Sequence, residues 1–242
     1  EGFRFITRVL SGSLDMHLER ADPARPDVTR MLTPTRKFLG DNPDTDYDYI
    51  PLDGASSYRI VGTRTNVTYI GFCLYGRRDP YGIEVTGNLS DEDIVFEDDG
   101  SFEILLGPTR PEGAKNFLEL TPSTYAMLVR EYFLDRTTET RAPFVLTPVT
   151  ACPPPEPLCE RALARHLEDV GRYVEETVDL SATLSVFASL NPVEDEGKHA
   201  HAEVAGGLVR HDAIANAQAI AAELDPSAVS YTHLRAHETV LD

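Results

Sequence analysis

An acidic segment, residues 41–53, carries the sharpest candidate chemistry in the sequence. Asp44, Asp46 and Asp48 alternate within it, and such carboxylates offer oxygen ligands to a hard cation such as calcium. The segment does not follow the EF-hand pattern, which requires glycine where Tyr49 stands. Its first residues, Asp-Asn-Pro-Asp, also form an ordinary turn sequence. We therefore favour turn chemistry and a solvated edge, with a metal site as the alternative.

Charged residues also interrupt an apolar, strand-like run that spans residues 125–134. Arg130, Glu131 and Tyr132 stand in this run, and charges in a central strand must pair or line a cavity. A buried or edge salt bridge is the favoured interpretation. The alternative is a polar wall of a ligand pocket between two sheets, with Arg59 and Arg64 on the opposite wall. The candidate ligand-binding residues are Arg59, Arg130, Tyr132, Asp44, Asp46 and Asp48.

Three histidines, His199, His201 and His211, are weak metal candidates. A His-x-His pair on a strand places both imidazoles on one face, and a third histidine could complete a zinc site. However, the surrounding stretch is polar, Lys198 is adjacent, and no strand pattern is present. An exposed linker is therefore favoured, and no metal site is predicted.

The sequence contains no familiar motif for nucleophilic or cofactor chemistry. It has no G-x-S-x-G elbow, no G-x-G-x-x-G after a strand and no Walker pattern, so we predict no cofactor. Cys152 and Cys159 are seven residues apart, which is wrong for a close zinc knuckle. Cys73 lies in an apolar run and is interpreted as a small buried hydrophobe. Unpaired cysteines favour a cytoplasmic setting, although a chain that starts at Glu1 leaves secretion open.

The net charge argues against two classes of partner. Lys and Arg number 22 against 40 Asp and Glu, which gives a formal net charge of −18. A nucleic-acid duplex or a phosphate-rich membrane surface would repel this chain. No run approaches the length of about 18 apolar residues that suggests a membrane span. We therefore predict no nucleic-acid partner and no membrane span.

Hydrophobic periodicity predicts the elements that must position these residues. Residues 1–26 contain an amphipathic helix with an apolar stripe at spacings of three and four. Between residues 27 and 150 the period changes to two, and the run 67–75 is apolar on both faces, as in a covered central strand. We predict a mainly β core, an antiparallel sandwich or jelly roll, with flanking helices. The helical stripe consists of Phe3, Ile6, Leu10, Leu14 and Leu18.

Two further predictions concern local structure. An Asp-Asp-Gly turn between two alternating runs predicts a β-hairpin over residues 94–106. Residues 151–228 form a proline-rich link and a helical segment, with helices at about 157–190 and 212–224. The longer helix presents an apolar side formed by Leu163, Leu167, Val170, Val174, Val178, Leu184 and Phe187.

Four segments, in order, resemble the bacterial proteins that carry the domain of unknown function twelve-fourteen, in its actinobacterial type. The resemblance implies a β-sandwich with flanking helices and no established catalytic residues. Some such proteins accompany sulfotransferase-like or lipid-metabolism proteins. The segments are EGFRFITRVL at the start, KFLGDNPDTDYDYIPLDGASSYRIVGTR at 37–64, GNLSDEDIVFEDDGSFEILLG at 87–107 and LVREYFLDRTTET at 128–140.

The C-terminal residues carry a second resemblance, to a sequence of a different origin. Residues 229–242 resemble a peptide that arises when sequencing-adapter DNA is read as protein, so we expect a non-native tail. In related chains a further β segment follows a pair like Asp225-Pro226. We therefore expect this chain to be a fragment of a longer protein.

These observations lead to two hypotheses about function. The first is a ligand-binding or accessory module in lipid-related bacterial metabolism, with a small-molecule ligand and a larger, sulfotransferase-like enzyme as its partner. The alternative is a hydrolase or isomerase that uses carboxylates of residues 41–53 together with Arg130 or Arg136. The alternative requires that Asp44, Asp46 or Asp48 converge with Arg130 on one concave pocket.

Overall fold

The structure, a computed structural model, describes residues 2–39, 42–77, 83–150 and 159–190. Within these residues, nine strands form two sheets, and helices lie at both ends of the described chain. None of the described helices is long and apolar enough to cross a membrane. The helical elements are α1 (Gly2–Leu14), a π-helical turn (Asp15–Glu19) and α2 (Glu160–Leu190). The strands are β1 (Thr29–Arg30), β2 (Thr45–Pro51), β3 (Tyr58–Thr63), β4 (Tyr69–Arg77), β5 (Ile83–Ser90), β6 (Ser101–Gly107), β7 (Phe117–Glu119), β8 (Thr124–Tyr132) and β9 (Phe144–Pro148).

The two sheets differ in their number of strands, and all but one of their strand pairs are antiparallel. The wider sheet has five strands in the order β1-β2-β8-β4-β5, and the narrower sheet has four in the order β7-β6-β3-β9. Neighbouring strands are antiparallel except for β6 and β7, which run parallel. The architecture confirms the predicted mainly β core with flanking helices.

The inner faces of the two sheets enclose the main hydrophobic core. Ile70, Phe72 and Leu74 of β4 are fully buried there, as is Ile104 of β6 in the facing sheet. The ring of Phe72 lies 6.0 Å from that of Phe102, also across the two sheets. Because successive side chains of a strand point to opposite faces, only every second residue of β4 enters this core.

The other face of the five-stranded sheet is covered by helices. Val9 of α1 and Tyr173 of α2 belong to a second hydrophobic cluster that includes Leu128 of β8. The Ser13 hydroxyl of α1 donates to the Val170 carbonyl of α2 at 3.1 Å, which ties the two helices together. The sheet is therefore packed on both faces, as the sequence predicted for its central strand.

The apolar stripe predicted for the N-terminal helix is wrong about which side is buried. Phe3 is 90% exposed and Leu10 is 40% exposed, whereas Val9 is fully buried. The buried side includes Gly12 because α1 approaches the body of the protein closely at that point. A methyl group on Gly12 would lie 3.3 Å from the ring of Phe38.

The apolar side predicted for the longer helix is only partly correct: of its members, Val170 is buried and Val174 packs against the second cluster, but others are exposed. Leu163 and Leu167 of α2 are 37% and 48% exposed, whereas Tyr173 and Thr177, which the prediction did not include, are buried. The helices meet through a hydroxyl–carbonyl bond and through ring contacts, so the buried side is partly polar and apolar spacing alone does not locate it. The predicted helix at 212–224 and the predicted tail at 229–242 lie outside the described residues.

The predicted hairpin is only half correct. The turn is present, with Gly100 at a φ of +80°, but residues 94–96 do not form a strand. β6 pairs instead with β3 and β7. The segment before the turn is held by the Asn116 side chain, which accepts from the Val95 N–H at 2.8 Å and donates to the Val95 carbonyl at 3.0 Å.

The contrast between neighbouring residues of α1 gives a direct test of the packing. We expect Val9→Ala to lower the free energy of unfolding by about 2 kcal/mol, because it removes fully buried methyl groups. Leu10→Ala should cost less than about 1 kcal/mol, although it removes more atoms, because Leu10 is partly exposed. Urea denaturation of both variants measures the difference, and a larger loss for Leu10→Ala would contradict the buried face described above.

Candidate functional site

Strand β8 divides the candidate residues between the two faces of the five-stranded sheet. Glu131 pairs with Asp46 of β2, while the preceding residue, Arg130, pairs with Tyr47. Side chains of adjacent strand residues point to opposite faces. Glu131 and Asp46 therefore lie on the face toward the four-stranded sheet, whereas Arg130 and Tyr132 lie on the face toward the helices.

The face toward the four-stranded sheet carries a cluster of ion pairs. Arg30 contacts Asp46 at 2.7 Å and Asp48 at 2.9 Å. Arg141 contacts Glu131 at 2.6 Å and also forms an ion pair with Asp48. The side chains of Asp48 and Glu131 are only 3% and 1% exposed. These contacts confirm the favoured interpretation of Glu131 as a member of a buried salt bridge.

Asp46 completes this cluster. Arg136, one of the two arginines considered for the enzyme hypothesis, contacts it at 3.1 Å. Burial would raise the pKa of Asp46, but the hydrogen bonds and charges of Arg30 and Arg136 outweigh burial and hold that pKa below its ordinary value. Asp46 is therefore ionised and paired with arginines, which suits a structural role.

The remaining candidates lie apart from this cluster. Asp44 is exposed in the turn before β2, where its N–H donates to the Asn42 side chain at 2.9 Å. Arg59 lies on the exposed face of the four-stranded sheet and pairs with Glu103. Arg64 pairs with Asp91 at 2.9 Å. The structure therefore does not bring the aspartates, Arg59 and Arg130 together.

Arg130 itself lies in different surroundings from those the sequence predicted. It is partly buried on the side of the sheet that faces the helices, not between the sheets. Its Nη2 donates to the Tyr75 hydroxyl at 2.6 Å. Within the described residues, no carboxylate forms an ion pair with it, and the groups that affect its pKa are tyrosines and a thiol.

We name these neighbours the Arg130 cluster. They come from three adjacent strands, β2, β4 and β8, whose register aligns Tyr47 with Arg130 and Arg130 with Gly71. A Cβ atom on Gly71 would lie 2.2 Å from the Tyr69 hydroxyl, so the glycine leaves room for that ring to fold back over β4. The cluster consists of Tyr47, Tyr69, Cys73, Tyr75, Arg130 and Tyr132.

The tyrosines of the cluster are neutral hydrogen-bonding groups at physiological pH. Burial raises the pKa of Tyr69 and of Tyr75 to about 12. Burial also raises the pKa of the Cys73 thiol, which suits the predicted buried hydrophobe and not a nucleophilic thiolate. Burial alone would lower the pKa of Arg130, but the neighbouring Tyr75 and Cys73 outweigh it and raise that pKa. Arg130 is therefore the single charge of the cluster.

The sequence identified Arg130 and Tyr132 but missed the other members. In the sequence, Tyr47 and Tyr49 alternate with Asp46 and Asp48, and this alternation is the signal that was available for Tyr47. The acids point to one face and the tyrosines to the other, and the register places the tyrosine face beside Arg130. The pairing of β2 with β8, about 80 residues later in the chain, could not be inferred from spacing.

Metal ligation has no candidate in the described part of the chain. No group of three or more His, Cys, Asp and Glu residues there could hold a metal ion. The weak metal candidates His199, His201 and His211 lie outside the described residues.

Comparison with known proteins supports the fold. No family model and no curated protein matches this chain. The chain is similar to the crystal structure of an uncharacterised protein from Burkholderia cenocepacia, with 36% sequence identity and a TM-score of 0.67. The match covers 74% of this chain and 50% of that protein, so this chain spans about half the length of that relative. A protein from Vibrio parahaemolyticus matches at 16% identity over 44% of this chain and 31% of that one, with a TM-score of 0.34 that carries no argument.

The ion-pair cluster predicts a specific dependence of stability on pH. A carboxylate whose folded-state pKa is depressed stabilises the protein above its unfolded-state pKa of about 3.9, and this contribution is lost as the pH falls through the folded-state pKa. We expect Asp46→Asn to lower the free energy of unfolding by about 1 kcal/mol at neutral pH. The gap between variant and parent should close as the pH falls below about 4.

Asp44→Asn is the matched control because Asp44 is exposed in the preceding turn. Its stability should follow that of the parent at every pH. Denaturant unfolding measured from neutral pH to about pH 3 checks both expectations. An Asp46→Asn deficit that stays constant over this range would contradict the assigned ion pairs.

Proposed function

We propose that this protein is a binding module for a small carboxylate with an apolar body, which Arg130 holds through its guanidinium. The observation that carries the proposal is the charge of Arg130. It is partly buried on the helix-facing side of the sheet, and no carboxylate among the described residues pairs with it. Taking a charge out of water is costly unless that charge is paired, so an anionic ligand would stabilise this arrangement.

Two other partly buried arginines, in contrast, form ion pairs with carboxylates. Arg30 contacts Asp46 at 2.7 Å, and Arg36 contacts Asp15 at 3.2 Å. Arg130 lies among tyrosine hydroxyls and a thiol instead. This difference supports a role in binding, since a purely structural arginine could be paired in the same way as the others.

The rest of the cluster suits one kind of anion. A guanidinium forms two parallel hydrogen bonds with a flat carboxylate. Arg130 bonds to the Tyr75 hydroxyl and to the Cys73 side chain, and a guanidinium has five N–H donors in all. The rings of Tyr69 and Tyr132 lie 5.0 Å apart, edge to face, and offer apolar surface to the body of a ligand. Carboxylates with apolar bodies are also common in lipid-related metabolism, the setting that the sequence resemblance implies. The sulfotransferase-like partner is part of this proposal and rests on that resemblance alone.

The hydrolase or isomerase alternative has less support from the geometry. It needs a carboxylate near the arginine that handles the substrate. Asp46 and Asp48 lie on the opposite face of the sheet from Arg130 and are occupied by ion pairs. Asp44 is an exposed turn residue. A binding role requires none of these carboxylates.

Benzoate and its neutral analogue benzamide test the proposal. The full chain should bind benzoate, measured by calorimetry or by a rise in melting temperature, and should bind benzamide much more weakly. Arg130→Met should weaken benzoate binding by about tenfold or more, because a hydrogen bond to a charged group contributes about 1.5–3 kcal/mol. Arg130→Lys should give an intermediate affinity because it keeps the charge but loses the paired geometry.

Arg59→Met is the matched control because it also removes one positive charge, at an exposed site on the other sheet. This variant should bind benzoate as the parent does. The proposal is wrong if Arg130→Met binds benzoate as well as the parent does, or if the parent does not distinguish benzoate from benzamide.

A further inference from the structure

A small cavity with several polar lining residues lies on the helix-covered face of the five-stranded sheet, at the end away from Arg130. It has a volume of about 150 Å³ and is lined by residues of the π-helical turn, α2 and the ends of β2, β4 and β8. It shares no lining residue with the Arg130 cluster. The polar side chains that line it are His17, Arg77, His166 and Asp169, together with Tyr49 and Tyr125.

His17 is the unusual residue of this cavity. It is only 6% exposed, and its Nε2 has no hydrogen-bond partner in the described structure. Leaving a buried polar atom unsatisfied is expensive, and such atoms are rare in folded proteins. His17 lies in the π-helical turn, where the Arg20 N–H donates to the Asp15 carbonyl five residues earlier at 3.1 Å. Turns of this type are frequent at functional sites.

The neighbours of His17 are held in place by contacts of their own. The His166 Nδ1 lies 2.9 Å from the His17 carbonyl, and since a carbonyl can only accept, this nitrogen carries a proton. Arg77 pairs with Asp169 at 3.1 Å and lies over the Tyr125 ring at 4.6 Å. These fixed partners mean that neither Arg77 nor Asp169 is an uncompensated charge.

The cavity is therefore suited to a neutral ligand. Burial, with the nearby positive charge of Arg77, lowers the pKa of His17 to about 4, so its imidazole is uncharged at neutral pH. The Arg77–Asp169 pair balances its own charges. The rest of the lining is largely apolar, with Met16 and Leu52 among its members.

We infer that this cavity, the His17 cavity, binds a small neutral hydroxyl compound whose hydroxyl hydrogen-bonds to Nε2 of His17. A hydroxyl can either donate or accept, so it satisfies Nε2 in both neutral tautomers of the imidazole. A cavity of about this volume has room for a molecule about as large as benzene. The ligand class is thus a compact alcohol or phenol whose apolar body contacts the remaining lining.

Phenol and toluene form a matched pair of probes because they differ only by a hydroxyl in place of a methyl group. The full chain should bind phenol about tenfold more tightly than toluene, since only phenol satisfies Nε2. With histidine labelled by ¹⁵N, phenol should shift the His17 imidazole resonances. Toluene should leave the Nε2 resonance largely unchanged.

Two variants separate the hydrogen bond from the cavity itself. His17→Leu should lower phenol affinity about tenfold, to the level of toluene. Ala21→Met should abolish binding of both probes, because Ala21 lines the cavity and a longer side chain fills it while His17 remains. Arg59→Met, at a distant exposed site, should bind phenol as the parent does.

The inference is overturned by any of three results. Equal affinity for phenol and toluene would show that no hydrogen bond anchors the ligand. Unchanged phenol binding in a folded Ala21→Met variant would place the phenol elsewhere. No binding of either probe by the parent chain would indicate that the cavity holds water alone.

Discussion

The antiparallel register of β2, β8 and β4 is the constraint on which the rest of the structure depends. It aligns Tyr47, Arg130 and Gly71 across three strands, and in the next position it aligns Asp46 with Glu131. Because the side-chain period of a strand is two, this register sends the tyrosines and Arg130 toward the helices and the carboxylates toward the second sheet. A slip of β2 by one residue would exchange its two sets of side chains, leaving the carboxylates against the helices and Arg141 without its aspartate partner.

The two faces of this sheet consequently differ in which polar groups they leave for binding a ligand. On the inner face, three carboxylates meet three arginines, and the buried Asp48 and Glu131 have no free charge to offer a substrate. On the helix-facing side, the described neighbours of Arg130 are tyrosine hydroxyls and the Cys73 thiol, and no carboxylate among them pairs with it. At the far end of that same side, the π-helical turn places a buried imidazole against a small cavity. Both proposed binding sites therefore depend on the way the helices cover a sheet that is already packed on its inner face.

Much of the fold could be predicted from the sequence, because alternation and turn residues are local signals. The run that became β4 shows its two apolar faces directly, and Gly100 marks a real turn. The buried side of α1 could not be predicted, because two of its buried residues, Gly12 and Ser13, are not large apolar residues, and Ser13 bonds to α2 across 157 positions in the chain. The candidate site was half predictable for the same reason. Arg130 is conspicuous as a charge in an apolar strand, but its neighbours are set by strand pairing and not by spacing.

Two double-mutant cycles test most directly whether the charged side chains of β8 lie on opposite faces of the five-stranded sheet. One cycle measures the coupling of Glu131 with Arg141, and the other measures its coupling with Arg130, the adjacent residue in the sequence. The register predicts about 2 kcal/mol of stabilising coupling for Glu131–Arg141, typical of a buried pair in contact, and close to zero for Glu131–Arg130, whose side chains point to opposite faces. Equal coupling in both cycles, or stronger coupling with Arg130, would contradict the account.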